Sequence, residues 1–159
     1  QAAQVAPGAP AAPAVPVVNS GPRRKALTVG INYVGTPAHL EGCINDSDTM
    51  AGILISTFGY QVRDILQLRD DMPDRAPTKQ KLIDAISWLV DGVRPGDELF
   101  FHYSGHGDQQ LDLSSDEDDH KDETLLPCDF QHAGVITDDE LRRMLVHPLP
   151  AGVRLTCIP

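Results

Sequence analysis

An α/β fold, a largely parallel sheet flanked by helices, is what this sequence predicts, and three observations carry the expectation. From Lys25 onward, short apolar runs alternate with segments of helical periodicity, which is how strands joined by crossover helices read. The 159 residues suffice for one domain with a buried core. The three cysteines, Cys43, Cys128 and Cys157, include no CxxC pair, so neither a disulfide framework nor a zinc knuckle stands in for that core.

Residues 1–22 consist mainly of Ala, Pro, Val, Gly and Gln, and Pro7, Pro10, Pro13, Pro16 and Pro22 cannot donate to a sheet or a helix interior. They are expected to form a disordered, partly extended arm, with no partner assigned. The folded domain is then 23–159. Its first strand is Lys25 to Ile31. Met50, Ile53, Leu54 and Phe58 follow at helical spacing and are expected to face the core. Tyr60 to Leu68 reads as the second strand. Leu82, Ile83, Ile86, Leu89, Val90 and Val93 mark the next helix, and Glu98 to Tyr103 the third strand. Thr137 and Glu140 fit a capping box that starts a helix running through Leu141, Met144 and Leu145. Val153 to Ile158 is the last strand, with Cys157 packed in the core.

The formal charge of −10, from 13 Lys and Arg against 23 Asp and Glu, argues against binding a phosphate backbone. Apart from the proline-broken start, the longest apolar run, Met50 to Ile55, falls far short of the roughly 20 residues that span a bilayer. Few, scattered cysteines fit a reducing compartment, so a cytoplasmic or nuclear protein is expected.

Open sheets of this class gather ligands beyond the carboxyl ends of their strands. That directs attention to the loops Asn32 to Asp46 and Ser104 to Glu123. The second opens with Ser104, Gly105, His106 and Gly107, where glycines on both sides of His106 allow a tight turn and close approach of a substrate backbone. His106 is therefore the candidate acid–base residue. His102, inside the strand, reads as a packed side chain. Ser104 lacks the Gly-x-Ser-x-Gly elbow of serine hydrolases, and a zinc site on His102 and His106 lacks the shared helical face and glutamate of HExxH.

The run His102-Tyr103-Ser104-Gly105-His106-Gly107, followed by Gln109, resembles the histidine motif of metacaspases. Gly42-Cys43-Ile44-Asn45-Asp46, Asp122-Glu123, Pro127-Cys128-Asp129-Phe130, Val135-Ile136-Thr137-Asp138-Asp139-Glu140 and Gly152-Val153-Arg154-Leu155-Thr156 resemble further blocks of that family in the same order. The resemblance runs from about Lys25 to the end. It implies a caspase-like sheet with helices on both faces and a cysteine endopeptidase cleaving after Arg or Lys, with protein or peptide substrates; the charge and the short apolar runs already lead us to expect no nucleic acid or membrane partner. His106 is the implied catalytic histidine, Asp46 a carboxylate of the specificity pocket and Ser104 its neighbour; Cys43, on the first loop, is expected to line the site without being the nucleophile, and the Gly107 amide to steady the oxyanion. In metacaspases the last of these strands leads into Asp-Ser-Cys-His-Ser-Gly, whose cysteine attacks. This chain stops at Pro159, so the fold is expected to be incomplete at its C-terminus and the chain inactive alone. A noncatalytic caspase-like binding module or pseudoprotease is the alternative.

The residue chemistry leaves two roles open. Asn45, Asp46 or Ser47 could instead cap the following helix. The resemblance further implies activation by Ca2+ through Asp122, Asp138 and Asp139, whereas the first turn of a helix favours Asp138 and Asp139 by itself. The acidic run Asp112 to Glu123, seven acids and one lysine, is no EF-hand, because Glu117 stands where that loop needs glycine and flanking helices are missing.

Overall fold

The structure, a computed structural model, describes residues 21–111 and 121–159. The arm, apart from Gly21 and Pro22, and most of the acidic run lie outside the described residues. Strands β1 (Arg24–Gly30), β2 (Ile65–Arg69), β3 (Glu98–Ser104), β4 (Gly107–Leu111), β5 (Lys121–Leu125), β6 (Ile136–Thr137) and β7 (Arg154–Ile158) are interleaved with helices. These are α1 (Cys43–Ser56), α2 (Lys79–Val90), α3 (Phe130–Ala133) and α4 (Asp138–Leu145).

Four strands form a wholly parallel sheet in the order β2-β1-β3-β7. β1 pairs on both edges and is covered on both faces, which is why Ala26 to Ile31 is a continuous apolar run broken only by Thr28 and Gly30. Leu27, Val29, Ile31, Leu99, Phe101 and Tyr103 point to one face, where they pack with Leu82, Ile86, Leu89 and Leu145 from α2 and α4. Ala26 and Phe100 point to the other, against Leu54 and Met50 of α1. Helices thus flank both faces, as the sequence predicts. Each fully buried Leu or Ile contributes roughly 1.5–3 kcal/mol.

The differences have local causes. α1 starts at Cys43, so Cys43 and Asp46 occupy its first turn and not the preceding loop. The expected core stripe of α1 is narrower, since Leu54 is buried while Ile53 and Phe58 are exposed, Phe58 at 58%. Only residues over the sheet are covered. The expected strand from Tyr60 is shortened because Val62–Asp64 make a 3-10 turn before pairing with β1 begins at Ile65. Cys157 lies in β7 as expected but is exposed, because β7 is the outermost strand on its side of the sheet among the described residues.

A second, antiparallel sheet, β4-β5-β6, replaces part of the expected loop after Ser104. Its polar sequence, with Asp108, Gln109 and Gln110 in β4, hides the strand signal. Strands therefore flank the acidic run where an EF-hand needs helices. No helix among the described residues is long and apolar enough to cross a membrane.

Candidate active site

Because all four strands of the main sheet are parallel, their carboxyl ends share one edge. Gly30 pairs with Ser104 there, and the loops after β1 and β3 leave side by side. Gly30 also lets α1 approach, for a Cβ at that position would lie 2.5 Å from the Cys43 carbonyl oxygen. The N-terminus of α1 is capped by Gly42 at φ 105°, with no side-chain cap, and Asn32 Oδ1 accepts from the amide of Ile44 at 3.4 Å. Asp46 is thus not the capping residue.

Asp46 is exposed in the first turn of α1, and its Oδ2 accepts from the Ser104 hydroxyl at 2.9 Å. This bond joins two of the residues singled out in the sequence. On the same face of β3, two residues earlier, His102 is 6% exposed and its Nδ1 has no partner among the described residues. Burial pushes the His102 imidazole below its ordinary pKa, while the Asp46 charge pulls weakly the other way.

His106 follows β3 by two residues and is half-buried. Its Nε2 lies 2.8 Å from the carbonyl oxygen of Ala38. With the proton on Nε2 donated to that carbonyl, Nδ1 keeps a free lone pair, so the contact selects one tautomer. Ala38 is delivered by a turn in which Thr36 donates to the Tyr33 carbonyl through both its amide and hydroxyl, and Ala38 N donates to Thr36 Oγ1 at 3.2 Å. The backbone of His106 is gripped as well. Its amide donates to the Tyr33 hydroxyl at 2.9 Å, and its carbonyl accepts from the Tyr103 hydroxyl at 3.1 Å and from Leu126 N at 3.2 Å. The Tyr33 hydroxyl in turn donates to the Leu126 carbonyl at 2.7 Å. Gly105 is required between these rings, for a Cβ would stand 2.9 Å from Tyr103 Oη and 3.1 Å from Tyr33 Oη.

Gly107 opens β4 opposite Leu125, and a Cβ there would be 3.2 Å from the Thr124 carbonyl oxygen. Gly105, Gly107, Glu123, Asp138, Leu141 and Pro159 help line a groove of about 630 Å³ beside the histidine turn. Cys43 is separate from this groove, buried at 8% exposure at the start of α1. Cys128 is half-buried, and burial together with the charge of Asp129 pushes its thiol up to about 11, so it is protonated at neutral pH.

At the far side of the groove, Thr137 and Glu140 form the capping box read from the sequence. Asp138 and Asp139 fill the first turn of α4, where the helix favours negative charge, and Asp138 Oδ1 accepts from Asp139 N at 2.8 Å. Thr124 pairs with Thr137, which brings the backbone of Asp122, two residues before Thr124, toward that turn. The Asp122 side chain lies outside the described residues. No group of three or more potential metal ligands occurs among the described residues. Two hard carboxylates suit Ca2+ in kind but are short of the six to eight oxygens it takes.

Tyr33, Ala38, Thr36 and Asp70 were not legible as site residues. Asp70, just past β2, accepts from Asn32 N at 2.9 Å and Val34 N at 3.3 Å and so ties down the loop that carries Ala38. Only the turn-forming string Gly35-Thr36-Pro37 hinted at order there.

Comparison with known proteins places the same region in a family. Residues 24–159 match the family described as "Metacaspase, peptidase C14 domain". The chain is similar to Metacaspase-1 of Cryptococcus neoformans, 51% identical over 138 residues, which are 86% of this chain and 30% of that protein. It is similar to Metacaspase-1 of Coccidioides immitis, 52% identical over 142 residues, 88% of this chain and 31% of that one. Metacaspase-1B of Neurospora crassa is 52% identical over 138 residues, covering 86% and 32%. The chain thus spans about a third of the length of these curated relatives. A crystal structure of a Geobacter sulfurreducens protein superposes with a TM-score of 0.67 at 34% identity, covering 86% of this chain and 49% of that one.

Proposed function

Because the chain belongs to the metacaspase family of peptidases, we propose that it supplies the histidine half of a cysteine endopeptidase site, with His106 as general acid and base. One observation carries this reading. His106 stands at the carboxyl edge of the sheet with Nε2 committed to the Ala38 carbonyl, which leaves Nδ1 to exchange a proton. A neutral Nδ1 takes the proton of an incoming thiol, and the imidazolium that results favours the thiolate. The thiolate sulfur attacks the peptide carbonyl carbon, the C–N bond breaks, and Nδ1–H protonates the departing amine. Water then attacks the thioester, with Nδ1 again accepting the proton, and the acid product leaves the sulfur.

The thiol enters from the β7 side. β7 runs parallel to β3 with Ile158 opposite His102, and Pro159 lines the groove shared with Gly105 and Gly107. Cys43, Cys128 and Cys157 do not serve: Cys43 is buried, Cys128 is held protonated, and Cys157 lies within β7 opposite Phe101. Residues 1–159 alone are therefore expected to be inactive. Asp46 is exposed at this edge with one hydroxyl partner, as a carboxylate awaiting a cation would be, and it supports cleavage after Arg or Lys. Ser104 orients that carboxylate. Ca2+ activation is proposed through Asp138, Asp139 and Asp122, whose carboxylates would supply part of the oxygen shell that the ion takes.

The reading is tested on the intact protein with peptides ending in Arg, Lys, Asp or Leu before the reporter group. Turnover of the Arg and Lys peptides alone is expected, and Asp46→Asn should raise KM for them by about tenfold or more, the worth of a charge-assisted bond. Preference for Asp or Leu would refute the pocket. Chelation of Ca2+ should lower turnover, and the double variant Asp138→Ala, Asp139→Ala should make it insensitive to chelator. No turnover of any peptide would favour the noncatalytic binding module.

A further inference from the structure

Tyr33 is 2% exposed, yet its backbone sits at φ 50°, the left-handed region that a bulky residue seldom enters. Such a conformation persists only where the surroundings over-determine it. Here they do. The Asp70 carboxylate accepts from the amides on both sides of Tyr33, and Thr36 binds the Tyr33 carbonyl twice. The outcome is a phenol placed against His106 in two ways. Its hydroxyl accepts the His106 amide proton at 2.9 Å, and its ring lies 4.9 Å from the imidazole, tilted by 43°. The same loop that holds Tyr33 also presents the Ala38 carbonyl to Nε2.

We infer that Tyr33, clamped by Asp70, is a positioning residue for His106: it fixes the imidazole on the Ala38 carbonyl in the Nε2–H tautomer and so keeps Nδ1 available. The inference rests on the proposed acid–base role of His106. Burial raises the Tyr33 phenol above its ordinary pKa, so the hydroxyl stays neutral and both accepts and donates throughout the working range. The Tyr103 hydroxyl, 3.2 Å from that of Tyr33 and 2.8 Å from the Leu126 carbonyl, backs the phenol from behind without touching the imidazole in the same way. Phenylalanine at position 33 fills the same space but strips the His106 amide of its acceptor. It isolates the bond from the packing.

The test needs two readouts. In the 159-residue chain, labelled with 15N at the imidazoles, NMR reports the tautomer ratio of neutral His106. Nε2–H should predominate, and Tyr33→Phe should shift the ratio by about threefold to tenfold toward Nδ1–H, the size of one hydrogen bond. In the intact protein the same variant should lower kcat about tenfold to a hundredfold, the penalty of a misplaced group, with KM within about twofold. Asp70→Asn, which keeps the shape and weakens the clamp, should move both in the same direction by less, and it decides the matter if Tyr33→Phe fails to fold. A variant that only melts earlier, with the wild-type tautomer ratio, overturns the inference. If the intact wild-type protein cleaves no peptide, the peptidase reading falls, and the tautomer ratio still decides whether Tyr33 positions His106.

Discussion

At the amino ends of the parallel strands, charges are matched with charges. Asp97, 4% exposed, accepts from the amides of Arg23 and Arg94 at 2.8 and 2.9 Å and from the Arg23 guanidinium at 3.1 and 3.2 Å. Glu98 is shared by Arg24 at 2.7 Å and Arg154 at 2.9 Å, which ties β1 and β7 to β3. Lys25 rests on the Trp88 ring at 4.5 Å and donates to the Trp88 carbonyl. At the carboxyl ends of the same strands Arg69 pairs with Asp48 and Asp71, each at 2.7 Å, while the bonds around His106 are neutral, between tyrosine hydroxyls, backbone and one imidazole. Asp46 there has a hydroxyl for a partner and no ion pair among the described residues. The amino end is closed electrostatically, whereas at the carboxyl end the histidine turn and Asp46 are held by neutral partners that leave their ionisable groups available. That division is what a site at the carboxyl edge requires.

The sharpest way to break the contrast is Asp97→Ala. It orphans two backbone amides and frees the start of β1, so unfolding in urea should become easier by about 2–3 kcal/mol, with the His106 tautomer unchanged. A disturbed His106 would show that the two ends are not independent. Gly105→Ala should cost about 1–3 kcal/mol by overpacking against two buried tyrosine hydroxyls, and here the His106 resonances should move, because the strain falls on its own anchors.

Two pH effects separate the ends more gently. Burial raises the Asp97 carboxyl, but amide and guanidinium bonds outweigh it and leave the pKa below the ordinary value. Its contribution is present above about pH 3.9 and is lost as pH falls through the depressed folded value. His102 is a base with a lowered pKa, so the unfolded chain binds its proton first and stability falls as pH drops below about 6.5. The slope from this one group is at most about 1.4 kcal/mol per pH unit. Urea melts from pH 7 to 5 should show it, and His102→Gln should flatten it while leaving the loss below pH 4.

Much of this architecture was legible in the sequence because burial on both faces writes continuous apolar runs, as in β1 and β3, and because the capping box at Thr137 and Glu140 is a local signal. His106, Ser104 and Asp46 stood out through glycine spacing and family-like motifs. The structure brings Ser104 and Asp46 into contact across 58 residues of chain and sets His106 on the same edge. The antiparallel sheet was hidden by the polar residues of β4. Tyr33, Ala38 and Asp70 were hidden for another reason. Their roles depend on a positive φ, a backbone carbonyl and two loop amides, none of which leaves a residue pattern. The exposure of Cys157 was missed because a strand's place in the sheet is not written in the strand itself.

The division between a closed end and an available end stands or falls on His106. Turnover of an Arg-terminated peptide by the intact protein should drop by about a thousandfold in His106→Ala, within the range for loss of a general acid–base group, while the thermal midpoint stays near that of the wild type. Unchanged turnover in that variant would contradict the account.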